Sequence, residues 1–237
     1  MESKAIVITG ANGNVGSYMA EKYLKVGENL ILCIHKDEFR LKTLLRDYPE
    51  QTAICRADIS DINTLQINLE KIIQSKKWHP KALIHTISKR SSDFQPLINT
   101  DPELWKRIVD VNLNGTYNIL KILIPYFKKE QYGKIILFGS NVTRIGLARG
   151  SAYSASKAGL LAYINVLREE LRGENIKIVN ILPGATRTPI WPAESLAKHA
   201  NKMMSPRDIA KFIFEIYKLK SNMVPEEIVL RPLEGDI

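Results

Sequence analysis

The sequence predicts an α/β fold: a doubly wound parallel sheet between two helix layers, a three-layer αβα arrangement in one domain. Three observations predict it. Short apolar runs alternate with longer amphipathic stretches along all 237 residues, the pattern of strands joined by helical crossovers. A glycine-rich turn follows the first of these runs and opens the first helix. No internal repeat, low-complexity stretch or linker divides the chain, whose length is routine for a single α/β domain.

Residues 5–9 read as a buried strand and 16–26 as the helix after it. A second strand covers 30–34 and is followed by a helix over about 39–47; a third covers 52–56, followed by a helix over about 62–75. The fourth strand is 82–86. Asp101-Pro102-Glu103 opens the next helix, an N-cap followed by proline at the first helical position, and that helix runs past Asn112 towards residue 127. The fifth strand is 135–138, and the long helix 152–172 stops at Gly173, as glycine permits. A sixth strand at 177–181, a helix at 206–219 and a short strand at 227–230 complete the pattern. Right-handed crossovers then give the doubly wound sheet, covered on both faces.

Composition narrows the function. With 45% hydrophobic and 25% charged residues the chain is ordinary for a soluble protein. No apolar run approaches the ~20 residues of a membrane span, and because the first residues run straight into a strand pattern no signal peptide is expected. A cytoplasmic protein without membrane contact is expected, with Cys33 and Cys55 as buried free thiols. The net charge of +9 is dispersed. Lys76-Lys77 and Lys128-Lys129 carry no interleaved aromatics, which argues against a nucleic-acid platform. None of the four histidines has metal-ligand spacing, so no metal is expected.

The chemistry centres on Tyr153-Ser154-Ala155-Ser156-Lys157. Residues four apart share a helix face, and an ammonium beside a phenol favours the phenolate, making the pair a proton donor and acceptor. Ser140 closes the fifth strand thirteen residues upstream and can bring a hydroxyl to the same place. Together they form an acid/base site for a carbonyl or an alcohol. In the first turn, Gly10, Gly13 and Gly16 are spaced three and three, with Asn12, Asn14 and Val15 between them. Such a turn lets backbone approach a pyrophosphate, and the helix N-terminus presents free N–H groups to it. At the end of the second strand, NAD-preferring sites place an acid on the ribose 2′-hydroxyl. Here Ile34-His35-Lys36 precede Asp37. His35, Lys36 and Arg40 are placed to face a 2′-phosphate, which favours NADP(H); Asp37 keeps NAD(H) possible should the strand run further.

On these residues the chain resembles the short-chain dehydrogenase/reductase family over essentially its full length, and specifically its short cytosolic branch, which has a Rossmann-type fold. The resemblance implies a role for each motif. Gly10, Gly13 and Gly16 form the cofactor turn. Asp58 contacts the adenine ring, with Ile59 beside it. Asn112 belongs to a proton relay, fixing a water that links Lys157 to solvent. Ser140, Tyr153 and Lys157 are catalytic, and Tyr153 and Lys157 also bind the cofactor, with Lys157 holding the nicotinamide ribose and lowering the tyrosine pKa. Pro183-Gly184 and Thr188 lie beside the nicotinamide. Two segments depart from the branch. Asn14 stands where glycine is usual; asparagine tolerates the left-handed region, and its amide can bind phosphate. His85-Thr86-Ile87-Ser88 replaces the usual Asn-Asn-Ala-Gly, and His85 is expected to be structural.

The implied activity is hydride transfer between a nicotinamide cofactor and a small-molecule ketone, 3-oxoacyl or alcohol substrate. A homodimer or homotetramer is also implied, pairing through the helix from residue 152 and the one before it. The alternative is a non-catalytic NADP-binding sensor or scaffold, supported by the two departures and opposed by the intact acid/base set. Residues 188–206 are expected to form a lid. Ile190, Trp191, Phe94 and Leu147 are candidates for an apolar pocket wall, and Arg144, Arg149 and Arg187 for attracting an anionic group.

Overall fold

The computed structural model describes residues 3–90, 95–220 and 222–235. Ser3–Thr9 (β1), Asn29–Ile34 (β2), Thr52–Arg56 (β3), Trp78–His85 (β4), Gly133–Phe138 (β5), Ile176–Pro183 (β6) and Glu227–Leu230 (β7) form one sheet in the order β3-β2-β1-β4-β5-β6-β7. Every pairing is parallel, with Thr9 opposite both Cys33 and His85. Strand order reverses between β1 and β4, and open α/β sheets place their ligands in the crevice beyond the strand ends at such a point.

Both sheet faces are buried. On β1, Ala5 and Val7 enter one core cluster while Ile6 and Ile8 enter the other. Period-two alternation thus supplies both faces from one apolar run. Ile62–Lys76 (α3), Gly115–Lys129 (α5) and Ser151–Leu171 (α6) feed the first cluster, through residues such as Leu69, Ile119 and Leu160. Asn14–Leu24 (α1) and Pro206–Lys218 (α8) feed the second. They pack through Tyr23, whose ring meets Tyr217 edge-on at 4.9 Å and Phe214 at 5.4 Å.

Side chains cap the starts of α3, Pro102–Val109 (α4) and α8. Asp61 accepts from the Asn63 and Thr64 amides, Asp101 from the Glu103 amide and Ser205 from the Arg207 amide; each such cap contributes about 1 kcal/mol. The short helices Lys42–Asp47 (α2) and Ala193–His199 (α7) complete the set. α7 lies within the expected lid. The helix predicted to run continuously past Asn112 is instead α4 and α5 joined by a π turn over Asp110–Asn114, a local widening often found at functional sites. The helix expected from residue 16 begins at Asn14.

Candidate active site

The turn after β1 is shaped by two glycines. Gly10 adopts φ +69°, and a Cβ there would lie 2.8 Å from Thr86 Oγ1. A Cβ on Gly16 would overlap the Gly10 carbonyl oxygen. Gly13 is the N-cap of α1 with φ −74°, and Asn14 is already helical. Asn14 therefore has no need of the left-handed tolerance invoked for it. Asn12 ties this turn to the loop after β2: its Nδ2 donates to Asp37 Oδ1 at 2.8 Å, and its Oδ1 accepts from the Arg40 amide at 2.8 Å. The Asp37 carboxylate also accepts from the Phe39 amide at 3.2 Å.

A cavity of about 510 Å³ crosses the carboxyl edge of the sheet. Gly13, Asn14 and Val15 line it from the turn after β1, Ser140 from the end of β5, Tyr153 from α6, and Pro183, Gly184 and Thr188 from the end of β6. The first turn of α1 carries no acid, so the N–H groups and partial positive charge of its N-terminus face the cavity undiminished. Arg40 is a lining residue, and so is Ser88, whose buried Oγ has no hydrogen-bond partner among the described residues. Leu147, Ile190 and Trp191 supply apolar wall as expected. The close backbone approach at Gly10 and Gly16, the helix N-terminus and Arg40 together suit an elongated ligand bearing phosphates.

Behind Tyr153, Lys157 is buried, and its Nζ donates to the Phe138 carbonyl at 2.8 Å and sits 5.9 Å from the Tyr153 ring centroid. Burial pushes its pKa down to about 7. Ser140, also buried, caps the short turn Asn141–Thr143, its Oγ accepting from the Val142 amide at 3.3 Å. His85 is buried between two hydroxyls, Nδ1 2.7 Å from Thr9 Oγ1 and Nε2 2.9 Å from Thr116 Oγ1. The Thr116 hydroxyl donates to the Asn112 carbonyl at 2.7 Å. It must then accept from His85 Nε2–H, which leaves Nδ1 to accept from Thr9 and fixes one neutral tautomer. Burial first, then the charge of Lys157, pushes the His85 pKa down to about 3. The ring is a neutral strut, as its replacement of a branch asparagine suggested.

Asn112 is placed differently from a side chain awaiting water. Its Oδ1 accepts from the Lys89 amide at 2.7 Å, while its Nδ2 donates to the Lys89 carbonyl at 2.7 Å and to Ser156 Oγ at 3.0 Å. It clamps the loop after β4 onto α6. Asp58 is likewise engaged: Oδ1 accepts from the Ser60 amide and hydroxyl, and Oδ2 from Arg107 at 2.5 Å. Burial raises its pKa, but the Ser60 and Arg107 bonds prevail and hold it near 2. Ile59 is buried in the core. His35 is exposed beside Asp58, Lys36 is exposed, and neither lines the cavity; of the three basic residues after β2, Arg40 does. Because β2 ends at Ile34, the acid at Asp37 falls beyond the strand end.

Of the three arginines expected to attract an anion, Arg144 pairs with Glu227 at 2.9 Å, Arg187 is exposed outside the cavity, and Arg149 lines a smaller cavity of about 80 Å³ that also contains Tyr153. Phe94 lies outside the described residues. Sequence reading missed Arg90. It lines both cavities, its Nε donates to the Ile190 carbonyl at 2.8 Å, and its guanidinium lies 4.3 Å from the Trp191 ring centroid. Its position just past a strand's carboxyl end was the one available signal.

The profile of the short chain dehydrogenase family matches residues 4–199. Sepiapterin reductase of Chlorobaculum tepidum is 27% identical over 241 residues, covering 98% of this chain and 97% of its own. The 3-oxoacyl-[acyl-carrier-protein] reductase of Thermotoga maritima is 24% identical over 242 residues, covering 97% of this chain and 96% of its own. Among solved structures, the alcohol dehydrogenase of Thermococcus sibiricus complexed with 5-hydroxy-NADP superimposes with a TM-score of 0.84 at 21% identity, covering 100% of this chain and 99% of that one. The family match spans both the turn after β1 and the segment around Tyr153 and Lys157, and the chain belongs to the short-chain dehydrogenase/reductase family of oxidoreductases.

Proposed function

We propose that the protein is an NADP(H)-dependent carbonyl reductase acting on a ketone or 3-oxoacyl compound, reversible as an alcohol dehydrogenase. One observation carries the reading: Ser140 and Tyr153 share a single cavity with the N-terminus of α1, above a buried Lys157. A bound nicotinamide supplies the hydride. Ser140 Oγ–H donates to the substrate oxygen where negative charge develops. The Tyr153 phenol gives its proton to that oxygen. Lys157, as ammonium, stabilises the phenolate left behind, and the Phe138 carbonyl orients it. Asn112 holds the loop after β4 against α6 through its side chain. Gly10, Gly13, Asn14 and Gly16 receive the pyrophosphate, Asp58 and Ile59 flank the adenine side, and Pro183, Gly184 and Thr188 orient the nicotinamide.

Arg40 supports the choice of NADP(H). It reaches the cavity beside Asn14, whereas the Asp37 carboxylate is turned to Asn12 and Phe39. Exposed Tyr117 on α5 and Val166 on α6 support pairing with a second copy through these helices. The test is titration with NADPH and NADH by nicotinamide fluorescence, followed by an NADPH-oxidation screen of ketones and acyl thioesters. Tighter NADPH binding with turnover is expected. Tighter NADH binding removes Arg40 from its role, and tight binding without turnover on any compound removes the reductase.

A further inference from the structure

Two loops wall the large cavity at its Tyr153 end. The loop after β5 contributes Val142, Ile145 and Leu147, and the loop after β6 contributes Ile190 and Trp191. Both loops are pinned. In the first, the Ile145 amide donates to the Asn141 carbonyl at 3.3 Å, and Arg144 pairs with Glu227 at 2.9 Å. Leu147 packs over Gly150, where a Cβ would lie 2.9 Å from Leu147 Cδ2. In the second, the Trp191 amide donates to the Thr188 carbonyl at 3.2 Å, and the Arg90 guanidinium stacks on the indole. The wall is therefore preformed, yet Ile145 stays 51% exposed. Two polar side chains of the lining are turned to main chain instead: Thr186 Oγ1 donates to the Gly184 carbonyl at 3.1 Å, and Arg90 Nε to the Ile190 carbonyl at 2.8 Å. A preformed apolar wall with a few convergent polar groups is the usual make-up of a small-molecule site.

We infer that the substrate is an uncharged ketone with one polar group, its carbonyl, and an apolar chain that covers Ile145, Leu147 and Trp191. The inference rests on the reductase reading of Ser140 and Tyr153. Those two hydroxyls converge on the carbonyl oxygen, and the rest of the ligand meets the aliphatic and aromatic side chains of the two loops. Each methylene laid on that wall leaves water, and so does the part of Ile145 it covers; both changes favour binding. A hydroxyl or carboxylate in the same place gives up its hydration against apolar side chains, which is costly. Arg90 serves the wall from behind: by stacking on Trp191 and holding the Ile190 carbonyl, it ties the loop after β4 to the loop after β6.

The experiment measures kcat/KM under NADPH for the methyl ketones from butanone to nonanone. A hydroxy ketone and an oxo acid as long as the best of them are measured beside it, in the full chain and in Ile145→Ser and Ile145→Leu. In the native protein each added methylene should raise kcat/KM by about fourfold until the wall is covered. The hydroxy ketone and the oxo acid should fall about tenfold or more below the ketone. Ile145→Ser should flatten the rise, and Ile145→Leu should retain it. A series without a rise, a hydroxy ketone or oxo acid that matches the ketone, or a rise that Ile145→Ser leaves intact overturns the inference while the reductase stands. Turnover of acyl thioesters with no ketone consumed also overturns it and leaves the reductase intact. Turnover of no compound, with NADPH bound, overturns both.

Discussion

The two ends of the cavity are built by different means. At the end facing the turn after β1, the shape is backbone: a left-handed Gly10, a Gly16 with no room for a Cβ, and a helix N-terminus, all within a few consecutive residues. Its side chains lock that backbone, with Asn12 bridging to Asp37 and Arg40. At the end facing Tyr153, nothing is local. Ser140 follows β5, Trp191 follows β6 and Arg90 follows β4, and they meet only because parallel strands deliver their carboxyl ends to one edge. A ligand common to many reactions can be received by backbone conformation; a particular substrate needs side chains, and those are free to differ from chain to chain.

Four substitutions test this division, in falling order of expected effect. Tyr153→Phe should lower kcat by about 10³-fold while NADPH affinity, measured by fluorescence titration, stays put; a parallel drop in affinity would show that the two ends are not separable. Gly16→Val should act the other way. Its side chain meets the Gly10 carbonyl, so NADPH affinity should fall by about 100-fold, the order expected when two hydrogen bonds to a charged phosphate are broken together; retained affinity would mean that the turn is not the phosphate site.

Lys157→Met separates charge from packing. The folded-state pKa of Lys157 is lowered to about 7 from an unfolded 10.5, so between these values the unfolded chain binds more protons and native stability rises with pH. In chemical denaturation across that window, the variant should lack this rise and be more stable than the native chain near pH 7, while its turnover drops. A variant with the native slope would show that Lys157 is not the buried charge responsible. The same titration should weaken native reduction as pH rises through about 7, because the ammonium is then lost. Last and smallest, Arg40→Ala should weaken NADPH by about tenfold, as removal of one charge-assisted hydrogen bond does, and leave NADH unchanged; equal weakening of both would assign Arg40 to the pyrophosphate.

The same division explains what the sequence disclosed. Glycine spacing, the Asp101-Pro102 cap and the apolar strand runs act over a few residues, and the fold follows from them. Tyr153 and Lys157 were legible because one helix turn relates them. Local reading went astray where a residue's partner lies far away. His35, Lys36 and Arg40 were all read as facing the 2′-phosphate, yet of the three the loop pinned by Asn12 presents Arg40 to the cavity. The π turn at Asn112 has no propensity signature, and its amide found its partners in Lys89 and Ser156. Arg90 gains meaning only from Trp191, about a hundred residues on.

The hydroxyl–imidazole chain through Thr9, His85 and Thr116 bears on how the protein assembles. It joins positions separated by 76 and 31 residues, at the line where β1 meets β4. Each member is buried, and the two ring nitrogens of His85 are both satisfied only when all three are in place. A fragment ending before Thr116 would enclose His85 with one nitrogen unanswered, a penalty of about 1–3 kcal/mol. The two halves of the sheet are thereby made interdependent. The slowest main-chain amides in hydrogen exchange should cluster at this seam and open only with the whole molecule.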